Sequence, residues 1–297
     1  MTETNDVRDA AYQGQPGAYS EQAARRMCGA DATLLPCETL SETFAAVAAG
    51  RTRCAIVPLE NTLAGPVPGA ITLLLESSLV VHGETAERID HVLAAPPGAT
   101  LAGIREILSH PMALAQCERF FKAHPGVRPV PVFDTAGALQ MVMRMGDPSR
   151  AAIAGHAAAA LYGASVLARH LQDHASNFTR FLRVARPPAP PLASGPCRFL
   201  LGVRLAHRPG TLALALQVLA DHEVNLTRID SVPVPGCPFE YEFVLEGTLE
   251  RPAALGSAVE ALERHATVRL LGCFRVAPTQ SPSWRPDHQI DSAVPTR

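Results

Sequence analysis

Residues 186–197 (RPPAPPLASGPC) hold five prolines and a glycine. Neither a helix interior nor a central strand tolerates that density of fixed φ angles and missing N–H donors. The chain therefore divides there into two parts joined by a semi-extended linker. At 297 residues it is also too long for one core of common size.

Before the linker, strand and helix signals alternate. AYQG at 11–14 reads as a short strand, and Ser20 in Gly17-Ala18-Tyr19-Ser20 is a candidate helix N-cap. A strand at 33–38, a helix at 40–49 and a buried strand at 53–59 follow. This order predicts a parallel α/β layer, with Glu60-Asn61 just past its third strand, where open α/β sheets place ligands. A second unit repeats the pattern, starting with strands at 79–95. It continues with a short strand ending at Ser109-His110-Pro111, then one helix over MALAQCERFFKA with Ser109 as candidate cap. A strand (VRPVPVF), a helix capped by Asp134 and a buried strand (AAIAG) complete it. Two α/β lobes of this kind predict a cleft between them. After the linker the signals run in βαββαβ order, which predicts a small ferredoxin-like domain. The boundaries drawn are 9–185 for the lobes, 186–197 for the linker and 198–276 for the C-terminal domain. A polar, proline-bearing tail at 277–297 reads as disordered.

Composition excludes several classes. Net charge is −2 and no Lys/Arg-rich run or basic helix face occurs, which argues against a nucleic-acid partner. The opening MTETNDVRDA lacks a signal-peptide pattern and no apolar run reaches membrane-spanning length, so a cytoplasmic protein without a membrane partner is expected. The seven cysteines are scattered without a CxxC pair, as for reduced thiols. With no GxGxxG or Walker loop and no convincing metal cluster, neither cofactor nor metal is expected. His170 and His174 have helical metal-ligand spacing but no third ligand nearby, and read as a surface face.

The chemistry concentrates in Asn177-Phe178-Thr179-Arg180-Phe181-Leu182. Strand alternation puts Thr179 and Phe181 on one face and Arg180 on the other; relaxation at the strand's end is expected to bring both polar groups to one cleft. A hydroxyl can protonate a leaving oxygen, and a guanidinium fork suits a carboxylate. The plainer alternative is an edge-strand Thr beside a solvated Arg.

Four motifs occur in order: Gly14-Gln15-Pro16-Gly17-Ala18-Tyr19-Ser20, Pro58-Leu59-Glu60-Asn61-Thr62, Ser109-His110-Pro111 with Ala115-Gln116-Cys117, and Thr179-Arg180-Phe181. Together they resemble the prephenate dehydratases. The segment at 198–276, with Pro209-Gly210-Thr211-Leu212 and Asn225-Leu226-Thr227-Arg228-Ile229, resembles the ACT regulatory domain of that family. The resemblance implies a two-lobed, periplasmic-binding-protein-like catalytic domain with an interlobe cleft, and cofactor-free decarboxylation and dehydration of prephenate to phenylpyruvate. It makes Thr179 the leading proton donor and Glu60 its rival, unless Glu60 is instead paired with Arg180 or caps backbone N–H groups. Asn61 and Gln116 are implied as neutral donors and Arg180 as a carboxylate clamp. Ser109, Tyr19, Ser20, Asn177 and Phe181 are implied as further substrate contacts, Ser109 and Tyr19 having packing or capping alternatives. L-phenylalanine or a related effector is implied at Gly210, Thr211, Leu212 and Asn225, in a homodimer or homotetramer. The chain departs from the family pattern at Ala18, Thr72, Met112, Asp230 and Val232. The last two stand in the effector motif and predict weakened or altered feedback. Arogenate remains an alternative substrate, and a non-catalytic small-acid binding protein an alternative class.

Overall fold

A computed structural model describes residues 7–189 and 195–276. The tail at 277–297 and linker residues 190–194 lie outside them. The first lobe contains β1 (Arg8–Gln13), α1 (Tyr19–Cys28), β2 (Leu34–Cys37), α2 (Leu40–Ala48), β3 (Thr52–Asn61), the two-residue β4 (Gly65–Pro66), α3 (Ala70–Glu76) and β5 (Val80–Arg88). The second contains β6 (His91–Ala95), β7 (Glu106–Ser109), α4 (Pro111–Ala115), α5 (Glu118–Ala123), β8 (Arg128–Pro131), α6 (Thr135–Met145), β9 (Arg150–Gly155), α7 (His156–Leu161) and β10 (Ser165–Ala168). The chain then returns to the first lobe as β11 (Phe178–Ala185). The C-terminal unit is β12 (Cys197–Leu205), α8 (Thr211–Asp221), β13 (Asn225–Pro233), β14 (Tyr241–Leu249), α9 (Ala253–Glu263) and β15 (Ala266–Arg275), the expected βαββαβ order.

The two-lobed α/β architecture is as expected. The second lobe is a five-stranded sheet, β10-β6-β9-β7-β8. The first lobe and the C-terminal unit share one sheet in the order β13-β14-β12-β15-β5-β11-β3-β1-β2, with β4 on β3. The join is narrow: Gly272 of β15 registers with Val81 of β5. A Cβ at 272 would sit 2.6 Å from the Val81 carbonyl oxygen, so only glycine lets the strands meet this closely. The core follows the join, since Val81, Leu182, Leu200, Val244 and Leu271 from both units belong to one buried cluster.

Several expectations change. The stretch 79–95 does not lie wholly in the second lobe: β5 pairs with β11 in the first sheet, and the chain crosses over between Arg88 and His91. The single helix over MALAQCERFFKA is two short helices. Asp173 accepts from the Glu118 and Arg119 N–H groups (2.9 and 3.1 Å) and so caps a new helix in the middle of the run. Ser20 is not an N-cap; Ala18 occupies that position, and Glu21 Oε2 accepts from Gly17 N (2.6 Å). Nor does Ser109 cap α4. His110 does, through Met112 N (3.2 Å), while the buried Ser109 hydroxyl donates to the Ile153 carbonyl (2.6 Å). Asp134 caps α6 as read, accepting from Ala136 N (2.7 Å).

Candidate active site

The ends of β3 and β11 lie side by side, with Thr179 opposite Asn61 and Arg180 opposite Glu60. One step further Phe181 faces Pro58, so Leu59 is an extra residue and the pair bulges at the site. Alternation is kept up to the strand end. Thr179 and Asn61 face one way, Arg180 and Glu60 the other.

On the first face, Asn61 is oriented by its own loop. Its Oδ1 accepts from Leu63 N (3.0 Å) and Ala64 N (2.9 Å), which turns Nδ2 toward its neighbours. Nδ2 donates to Thr179 Oγ1 (3.0 Å), Asn177 Oδ1 (2.7 Å) and the Phe178 carbonyl (3.1 Å). Asn177, 0% exposed, then gives Nδ2 to Gln116 Oε1 at 2.9 Å. Gln116 comes from the other lobe. It sits at the break between α4 and α5, and its carbonyl accepts from Asp173 N (2.7 Å). The helix break is what aims this amide at the first lobe.

The network runs on through His91, which the sequence did not single out, to Tyr19. Its Nε2 lies 3.3 Å from Gln116 Oε1 and its Nδ1 3.4 Å from the Tyr19 hydroxyl, which donates to the Asp90 carbonyl (2.7 Å). Burial pushes the imidazole pKa down to about 4 against the opposing pull of Gln116 and Asp90, so the ring is neutral. Burial likewise raises the Tyr19 phenol. Thr179, Asn61, Asn177, Gln116, His91 and Tyr19 thus form a chain of uncharged polar groups joining the lobes. Phe181 is buried against Ala23, Ala24 and Ile56, and Ser20 lies within α1; neither has a polar part in it.

On the second face Arg180 and Glu60 meet the C-terminal unit. Arg180 contacts Glu60 (3.1 Å), Glu84 (2.7 Å) and Glu246 (2.6 Å). Burial opposes its charge, but the hydrogen bond and charge of Glu246, with Glu84 and Glu60, raise its pKa overall. The expected meeting of Thr179 and Arg180 in one pocket does not occur, because each stays on its own side of an intact strand pair. Glu60 has the paired arrangement noted as its alternative.

In the C-terminal unit, Gly210, Thr211 and Leu212 line a cavity of about 410 Å³ with Leu205, Tyr241 and Phe243. Asn225 is opposite Thr248, seven residues along β14 from Tyr241, which at ~3.3 Å per residue places it on the order of 20 Å away. His170 binds Asp90 (2.8 Å), and among the described residues no group of His, Cys, Asp or Glu could hold a metal. Nor, among them, is any helix long and apolar enough to cross a membrane.

Fold and site define a two-lobed α/β enzyme scaffold whose lobes meet at a hydroxyl and a set of amides, with a βαββαβ unit fused to one sheet. The family model described as prephenate dehydratase matches residues 10–189. A bifunctional N-acyl-homoserine lactone acylase/prephenate dehydratase from Komagataeibacter europaeus is 40% identical, over 92% of this chain and 98% of its own length. An arogenate dehydratase/prephenate dehydratase from Arabidopsis thaliana is 36% identical, over 91% of this chain and 73% of that one. The crystal structure of prephenate dehydratase from Arthrobacter aurescens in complex with L-Phe is 31% identical with a TM-score of 0.81, covering 90% of each chain. The chain belongs to the prephenate dehydratase family, which makes it a lyase-type enzyme of aromatic amino acid biosynthesis.

Proposed function

We propose that the chain converts prephenate to phenylpyruvate, CO2 and water in phenylalanine biosynthesis. Prephenate is a dianion with a carboxylate and a hydroxyl on opposite ring carbons. The bond to the ring carboxylate breaks and its electron pair enters the ring. The ring C–O bond breaks in turn, and one proton taken up by the departing oxygen makes water. The bond from Asn61 Nδ2 to Thr179 Oγ1 carries the reading. It uses a lone pair of the hydroxyl and leaves the hydroxyl proton to point at the leaving oxygen. Uncharged amides suit the step, since a cation held on the ring carboxylate would stabilise the charge that must be lost. Glu60 and Arg180 are paired with each other on the opposite side of the strand from Thr179, so in this reading Glu60 is not the donor and Arg180 is not the clamp.

Arogenate is the second reading, from the Arabidopsis relative. The network around Thr179 contains no carboxylate to meet arogenate's ammonium, which favours prephenate. The test is to incubate the full chain separately with prephenate, arogenate and an N-acyl-homoserine lactone. Phenylpyruvate from prephenate is expected. Faster phenylalanine release from arogenate would reverse the preference, and amide cleavage alone would overturn the reading.

Residues 198–276, beyond the 186–197 linker, are proposed as an ACT-type regulatory domain acting on the catalytic residues 9–185. The cavity at Gly210-Thr211-Leu212 supports an L-phenylalanine or related effector, as does the L-Phe complex of the Arthrobacter relative. Asn225 is too distant to share that cavity within one chain and would serve it from a partner subunit. β13 is the last strand of its sheet and offers a pairing edge for a homodimer or homotetramer.

A further inference from the structure

Where the first lobe meets the C-terminal unit lies a cavity of about 280 Å³ lined by Glu60, Arg180, Arg198, Thr227, Arg228 and Glu246, among others. Arg228 Nη1 bonds Glu60 Oε2 (3.0 Å), while its Nε is held by Asp230 Oδ2 (2.6 Å). Arg198 links Glu84 (3.2 Å) to Glu246 (2.7 Å), and Arg180 contacts both. Three guanidiniums face four carboxylates. One of these, Glu246, is 0% exposed and has an oxygen without a hydrogen-bond partner.

Glu84 and Glu246 are buried and Glu60 is half-buried. Ion pairs taken out of water in this way add little stability over apolar packing, and their best-attested use is to fix a register. Here the register matters directly. Glu60 and Asn61 are consecutive in β3, Thr179 and Arg180 consecutive in β11, and they are paired across the ladder. A one-residue slip would exchange the two faces. The bulge beside Leu59 interrupts the pairing at this point, so the ladder alone holds the strand ends less firmly.

We propose that Arg228, a residue of the C-terminal unit, is a positioning residue for the site on the opposite face. By gripping Glu60 it fixes the β3 end, and through the Glu60–Arg180 pair the β11 end, that present Asn61 and Thr179 to the cleft. The proposal rests on the dehydratase reading for its kinetic arm only. Its structural arm is the protection of the Leu63 and Ala64 amides, which depends on Asn61 staying in place.

The test compares the full chain with Arg228→Met and Arg228→Lys. Arg228→Met should lower kcat for prephenate by up to about 10²-fold with KM little changed, as expected when reacting groups are misplaced but binding is kept. Arg228→Lys, which keeps a cation for Glu60, should recover most of that loss. Hydrogen exchange at Leu63 and Ala64 should quicken in Arg228→Met by on the order of tenfold, while the second-lobe sheet stays protected. Unchanged exchange in Arg228→Met overturns the proposal whatever kcat does. A wild-type chain inactive on prephenate overturns the dehydratase reading, and the exchange result still decides this one. If Arg228→Met fails to fold, Asp230→Asn, which loosens the same guanidinium, is read by the same exchange criterion.

Discussion

At the scale of single residues, orientation carries the site. Two backbone N–H groups decide which way the Asn61 amide turns, and that makes Thr179 an acceptor toward Asn61 and leaves its own proton free for the donor role proposed above. Thr179→Ala should keep the fold, shown by an unchanged circular dichroism spectrum, and lose about 10²–10⁴-fold in kcat, the usual worth of general acid help. Thr179→Ser should retain much of it. His91 gives a pH prediction. Its native pKa, pushed down to about 4, lies below the ordinary value of 6.5, so the unfolded chain takes up a proton first as pH falls. The stability it contributes is full above about pH 6.5 and is lost progressively toward pH 4, on the order of 3 kcal/mol in all. Urea unfolding at pH 7.5 and 4.5 should show a smaller difference for His91→Gln than for wild type. Burial lowers His82 and His110 as well, but those groups are common to both proteins and cancel. Thr179, Asn61 and Gln116 were legible because each sits in a motif. His91 was not, because it opens an apolar strand run, and nothing local shows that both ring nitrogens have polar neighbours from elsewhere.

At the scale of elements, local signals located most strands, and tertiary contacts decided where they pair. The β5 stretch reads the same whether it joins the first sheet or the second; its partners β11 and Gly272 lie far along the chain. Likewise MALAQCERFFKA has continuous helical character, and only Asp173, more than fifty residues later, breaks it. That break has a measurable use. Removing the Asp173 carboxylate leaves the Glu118 and Arg119 N–H groups without their cap. Asp173→Ala should destabilise by about 1 kcal/mol, the common worth of an N-cap, and should lower kcat as well, because Gln116 loses the turn that holds it. A thermal melt and a kcat measurement on one preparation test this. A melting shift without any change in turnover would separate the cap from the site. The Thr179–Arg180 pair fails for a related reason: a strand end that relaxes and one that stays in register look identical in sequence. The register here is held by Glu60 and the C-terminal unit.

At the scale of the molecule, the lobes are held together by short, specific contacts around the loop at 14–19. Tyr162 donates to the Pro16 carbonyl (2.8 Å) and Tyr19 to the Asp90 carbonyl (2.7 Å). Gly17 packs so close to α7 that a Cβ there would lie 2.7 Å from Ala158 Cα. Asp134 does two tasks. Oδ1 caps its own helix through Ala136 N, and Oδ2 accepts from Gln15 N (2.9 Å) across the lobe boundary. The motif at 14–20 reads from sequence as a turn and helix start, and its service as the strap between lobes appears only when α6 and α7 are in place. Because the network at Thr179 draws Gln116 and His91 from the second lobe, loosening the strap should disturb the site without touching it. Asp134→Ala removes a cap and a bridging acceptor, together on the order of 2 kcal/mol. It should also raise KM for prephenate, since substrate binding must then supply the closure that Asp134 supplies now. Asp134→Asn retains one acceptor oxygen, enough for the cap or the bridge but not both, and should fall between wild type and alanine in melting temperature and in KM. If KM in Asp134→Ala stays at the wild-type value while the melting temperature drops, the strap serves stability alone, and alignment of the two lobes over the substrate must come from the Tyr19 and Tyr162 contacts.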